Sequence, residues 1–200
     1  MAALSLVTAP TAEPVSLDEA KTHLRVTGND EDLLIDALIK AARQHVEGRD
    51  GWLNRALITQ TWDLFLDCFP KSSELPIVVP LPPLQSITSI TYLDGAGASQ
   101  TWVVTDYTVD AKSEPGRITP AYGKSYPSTR NVMNAVTVRF VAGYGGPVAV
   151  PGPLKLALGA LVAHFYEHRE PIILTGGGGS PVPIPMHVEA LLMPYRMWGF

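Results

Sequence analysis

Two hundred residues with 46% apolar side chains suit one domain, or one domain carrying an insert, with a real buried core. Charged residues are only 17% and the net charge is −4, which excludes the clustered Lys and Arg of a nucleic-acid-binding surface. Lone Cys68 excludes an intramolecular disulfide, and no apolar run reaches the 18 residues of a membrane-spanning helix.

So few charges suggest that a partner covers part of the surface. Met1–Pro10 lacks the positive n-region of a signal peptide, so the chain reads as one made in a cytosol. The 18 prolines and 17 glycines call for many turns and extended arms.

Residues 1–14 are rich in Ala, Thr and Pro and are expected to form a loose N-terminal arm. Ser16-Leu17-Asp18-Glu19 fits a capping box and opens a short helix over 16–25. Asn29 is the expected cap of a longer helix over 30–47, with Asp30, Glu31 and Asp32 favourably placed in its first turn. Ile35, Leu38, Ile39, Ala42 and Val46 make its apolar stripe, and Gly48 suits the position just past its end.

From Thr59 the period changes to two. Trp62, Leu64 and Leu66 alternate with Thr61, Asp63, Phe65 and Asp67, as in a strand. Further strands are expected at 75–79, 86–93, 100–104, 107–109 and 135–141. Asp94-Gly95-Ala96-Gly97 and Glu114-Pro115-Gly116 read as turns between them. Pro80, Pro82 and Pro83 place at least one strand at an edge. Residues 59–142 thus form a β-rich module inserted between helical parts, its flanking turns extending it to 146. Gly143-Tyr144-Gly145-Gly146 is the turn leading out.

The longest apolar run of helical period follows. Leu154, Leu158, Leu161, Val162 and Phe165 share an arc of about 100°, which predicts a core-facing helix over 153–169. Pro151 and Pro153 mark its entry and Pro171 its stop. Gly176, Gly177, Gly178 and Gly179 read as a hinge. Pro181, Pro183 and Pro185 then begin a stiff, extended arm over 176–200, with a short helix near 186–193. Aromatics at a chain end need burial, either against their own domain or in a partner. The fold class is α+β. Residues 15–58 and 150–175 form a helical core, 59–146 the insert and 176–200 the hinge and arm of a single domain.

Chemical motifs are few. His164-Phe165-Tyr166-Glu167-His168 matches the H-x-x-E-H signature of zinc peptidases, and histidines four apart on a helix can share a metal. It stands as the alternative reading, a zinc hydrolase, against a helix end whose cations complement the dipole. Gly123-Lys124-Ser125 lacks the leading glycine of a phosphate-binding loop, because position 118 is Ile118. Asp63 with Asp67, and Asp106 with Asp110, read as solvated strand positions. No catalytic residue, metal ligand or cofactor is assigned.

Val15-Ser16-Leu17-Asp18-Glu19-Ala20-Lys21-Thr22-His23-Leu24-Arg25-Val26, followed by Asp30-Glu31-Asp32-Leu33-Leu34, resembles the opening of tailed-phage head–tail connector (adaptor) proteins. Three later stretches resemble the same family: Ala56–Trp62, Val136–Gly145 and Leu192–Arg196. Such proteins occur in phages, prophages and phage-derived gene transfer agents. The resemblance implies a non-enzymatic ring, usually of twelve subunits, beneath the portal protein at the neck of a virion. It implies docking of a stopper or tail protein, and DNA passing through the lumen without sequence-specific binding. It also implies a C-terminal arm gripping the portal, here with Tyr195, Arg196, Met197, Trp198 and Phe200 as anchors. Another neck part, such as a stopper, is the nearby alternative.

Overall fold

The computed structural model describes residues 3–168, 172–175, 178–181 and 184–198. They form two compact units, one within 12–54 and 146–199, the other within 1–11 and 55–145. Helices and one β-hairpin build the first and antiparallel sheets the second, an α+β fold.

In the helical unit, α1 (Leu17–Leu24) opens with the expected capping box. Ser16 Oγ accepts from the Glu19 N–H at 3.2 Å, and Glu19 Oε2 accepts from the Ser16 N–H at 2.8 Å. Arg25 ends the helix in the left-handed region, φ 59°. α2 (Asp32–Val46) starts two residues later than predicted, and Asn29 is not its cap. The Asn29 side-chain oxygen is engaged elsewhere: the Lys21 ammonium donates to Asn29 Oδ1 at 2.8 Å and to Asp32 Oδ1 at 2.7 Å. Gly48, at φ 85°, lies just past the end as expected. Ile35, Ile39, Ala42 and Val46 are buried, while Leu38 flanks the stripe half-buried.

α3 (Gly152–Glu167) buries Leu154, Leu158, Leu161 and Val162, and half-buries Phe165. Ala157, Gly159 and His164, off the predicted stripe, are buried as well. The reason is that α3 packs on α1, on α2 and on α4 (Met186–Leu192), so its buried arc is wider than one neighbour requires. At Gly159 the ring of His23 from α1 comes within 3.6 Å of where a Cβ would lie. Lys155 Nζ joins Glu19 Oε1 at 2.6 Å, tying the first turns of α3 and α1. β9 (Ile172–Thr175) and β10 (Gly178–Pro181) pair antiparallel. Gly178 and Gly179, read from composition as hinge, stand opposite Thr175 and Leu174; Gly176 and Gly177 lie outside the described residues.

The β unit holds a five-stranded antiparallel sheet of β1 (Ala3–Thr8), β2 (Gln60–Leu66), β8 (Val136–Ala142), β4 (Leu84–Leu93) and β5 (Ser99–Thr101), in that spatial order. A three-stranded sheet orders β3 (Ile77–Val79), β7 (Gly116–Pro120) and β6 (Tyr107–Asp110). The expected loose N-terminal arm is instead β1, with Ser5 opposite Asp63 and Leu6 opposite Trp62. Local composition hid it because its partner lies more than fifty residues away. β7 was missed for a different, local reason: Gly116, read as a turn residue, is already inside the strand. β5 is shorter than expected because Val104–Asp106 turns into a 3-10 helix.

The turn at Asp94 forms as predicted, its carboxylate accepting from the Ala96 and Ala98 N–H groups at 3.0 Å each. β3 is an edge strand, in keeping with the prolines that follow it. The core of this unit gathers Leu64, Val79, Ile90, Ile118, Val138 and Phe140. Asp63 is not solvated. It is buried opposite Arg139 on β8, which donates from Nε and Nη2 to its two carboxylate oxygens at 2.8 Å each. Asp67 accepts from the Asn134 N–H at 3.0 Å, and Asp106 pairs with Lys124 at 3.1 Å.

Candidate interaction surfaces

The C-terminal residues are organised by α4. Val188 and Leu192, four apart, are buried on one face, and Met186 is left exposed. Pro194 sits in the following 3-10 turn, Met193–Tyr195, and the chain then extends through Arg196. Two hydrogen bonds clip this extension to the helical unit. Met197 N–H donates to the Leu53 carbonyl at 3.0 Å, and Asn54 Nδ2 donates to the Met197 carbonyl at 3.1 Å. Asn54 reaches it from the left-handed region, φ 53°, which Asn tolerates better than most residues.

Arg196 lies between two indoles. Its guanidinium carbon is 4.6 Å from the Trp52 ring centre and 4.3 Å from that of Trp198. Such stacking contributes about 0.5–2 kcal/mol per ring, depending on desolvation. The Arg196 Nε is buried with no hydrogen-bond partner, a real cost for a charged donor. Tyr195 and Met197 are half-buried, whereas Trp198 remains 68% exposed. Of the predicted anchors, Arg196 and Met197 therefore meet Trp52, Leu53 and Asn54, Trp198 stacks on Arg196, and Phe200 lies outside the described residues. Sequence reading missed Trp52 and Asn54. A tryptophan in the polar turn Arg49–Asn54 was the available signal.

The two histidines of the H-x-x-E-H stretch stand close, ring centres 4.8 Å apart, with His168 Nδ1 at 3.0 Å from the His164 carbonyl oxygen. Among the described residues, no group of three His, Cys, Asp or Glu could share a metal ion. Burial lowers the His164 pKa below its ordinary 6.5; the nearby His168 adds to this and Glu167 opposes it. The unfolded chain therefore binds this proton more readily than the folded one. Stability from this site is complete above about pH 6.5 and falls as the pH drops below it. Thermal unfolding followed from about pH 7 to pH 5 is expected to show a falling midpoint, and His164→Phe to flatten that slope. An unchanged slope in the variant would remove His164 as its source.

Large apolar side chains are exposed in both units: Leu33 and Val148 in the helical unit, Tyr122 and Met133 in the β unit. None of the described helices is long and apolar enough to cross a membrane.

The whole fold recurs in solved particles. The chain is 25% identical to one in the neck of an empty gene transfer agent (GTA) particle computed with C6 symmetry, with a TM-score of 0.77 over 99% of this chain and 97% of that one. It is 25% identical to one in the virion of a native GTA particle, with a TM-score of 0.73 over 98% and 96%. A chain from the neck of a native GTA particle computed with C12 symmetry shares the fold at 22% identity and a TM-score of 0.68, over 99% and 97%. No curated protein sequence matches the chain. The sequence model of the head completion proteins matches residues 13–198, nearly the whole chain, and this protein belongs to that family.

Proposed function

We propose that this chain is a structural adaptor in the neck of a tailed-phage-like particle, repeated as a ring around the DNA channel, where it joins the head to the tail. The supporting observation is the near-complete, two-way overlap with a chain of a GTA neck, both units included. That neck was computed with C6 symmetry, which twelve copies satisfy; twelve is the subunit number we propose. The portal protein would hold one side of the ring and a stopper or tail protein the other. Few charges and many exposed apolar side chains fit a surface that is covered on assembly. The protein would act by assembly and not by catalysis, with the genome passing through without sequence-specific contacts.

The C-terminal segment is the proposed grip on the portal. Trp198 offers a large exposed ring beside a cation, and Trp with Arg are common interface hot spots. Native mass spectrometry of the chain, alone and mixed with the portal encoded beside it, tests both proposals. A stoichiometric ring on the portal is expected. Trp198→Ala or removal of residues 194–200 should weaken that association about tenfold or more. No association of the intact chain would overturn the adaptor reading. Full-strength association of the truncated chain would overturn the grip alone.

A further inference from the structure

Among the edge strands of the described residues, two elements keep an unblunted hydrogen-bonding edge. The first is β1, the outer strand of the five-stranded sheet. Ala3–Thr8 contains no charge and no proline, and pairs in regular register from Ala3 to Leu6. Leu6 and Val7 are 44% and 43% exposed. Proteins usually blunt such edges with Lys, with Pro or by keeping them short. The opposite edge, β5, is only three residues long, β3 is three residues flanked by Pro76 and Pro80, and β6 is four residues ending in the charged Asp110. β1 has none of these protections.

The second is the β9–β10 hairpin. It forms a two-stranded sheet with no third strand among the described residues. Hairpins of two strands are marginal alone in water. The sequence of β9, Ile-Ile-Leu-Thr, has the continuous apolar run of a strand covered on both faces. β10 brings two glycines and ends in Pro181, so β9 carries the edge suited to pairing.

We infer that β9 of one copy adds to the free edge of β1 on the next copy. The five-stranded sheet and the hairpin then join into one seven-stranded sheet across each subunit boundary. The occupant is a second copy because a closed ring needs two different patches that fit each other, both present on every chain. β1 and β9 are two such patches, and neither carries a charge that would oppose pairing. Pairing of β1 with another β1 would instead close a two-fold dimer and stop there. This inference rests on the ring proposed above.

The test uses the full chain with Cys68→Ser, on necks assembled with the portal. Ser5→Cys is combined with Ile173→Cys or Leu174→Cys, and the necks are oxidised. A covalent ladder of this chain, reaching the ring's full subunit number, is expected. Dimers from Ser5→Cys alone, a cross-link closed within one chain, or a cross-link only to the portal would each overturn the pairing. Ser5→Lys should cut ring yield about tenfold with thermal unfolding of the subunit unchanged. Rings that persist in Ser5→Lys without any cross-link in the cysteine pairs would sink this inference and leave the ring intact. Failure of the unaltered chain to form a ring would sink both.

Discussion

Arg43→Ala is expected to destabilise the helical unit by about 3–5 kcal/mol, the usual cost of stripping one partner from a buried ion pair. Arg43 Nε donates to Glu13 Oε2 at 2.7 Å, Nη2 to Glu13 Oε1 at 3.3 Å and Nη1 to Glu47 Oε2 at 2.7 Å. The Glu47 side chain is only 4% exposed and that of Arg43 14%. A solvated pair of this kind would contribute about 0–1 kcal/mol, so burial decides the size of the effect. Taking away the guanidinium leaves a carboxylate that water reaches poorly. It also unties Glu13, and with it the lead-in to α1, from the end of α2. Urea unfolding followed by circular dichroism would measure the loss. Arg43→Leu with Glu47→Leu and Glu13→Gln removes the three charges together and should recover much of it. A loss below about 1 kcal/mol in the single variant would mean that water already screens the cluster.

Gly143→Ala is expected to cost the β unit about 3 kcal/mol, near the top of the ordinary range for single substitutions. Gly143 follows β8 at φ 121°, a region that side chains disfavour. A Cβ there would lie 2.4 Å from the Ile58 carbonyl oxygen, so backbone would have to move. That backbone is pinned. Gly143 N–H donates to the Pro83 carbonyl at 2.9 Å, Tyr144 N–H to the Leu57 carbonyl at 3.0 Å, and Thr59 N–H to the Gly145 carbonyl at 3.0 Å. Gln85 Nε2 donates to the Gly143 carbonyl at 2.8 Å. Gly146, three residues on, is the control. It has φ −78° and nothing within 4 Å of an added Cβ, so Gly146→Ala should change stability by about 0.5 kcal/mol or less. Equal effects at the two positions would show that the Gly-Tyr-Gly-Gly turn tolerates rearrangement.

Local chemistry alone determined a good part of this molecule. The capping box at Ser16, the stripes Ile35–Val46 and Leu154–Val162, the Asp94 turn and the alternation around Leu64 each depend on neighbours within a few residues. Their periodicity or hydrogen bonding is therefore written in the sequence, and the α+β class follows from them. The order of motifs along the chain likewise carried the resemblance to connector proteins, because family sequence patterns need no coordinates.

Tertiary structure decided what depends on distant partners. β1 looked like a loose arm because its ladder lies on β2. Asp63 looked solvated because Arg139 stands opposite it only once β2 and β8 pair. Asn29, the expected cap, instead accepts from Lys21 on another helix. The aromatic end posed the same problem in sharper form. Composition showed that the aromatic end needed partners, but only the folded chain brought Trp52 to Arg196 and Asn54 to Met197. A sequence records the propensity of each segment; which segments meet is settled by burial and pairing across the whole chain, where a single contact can override a local preference of about 1 kcal/mol.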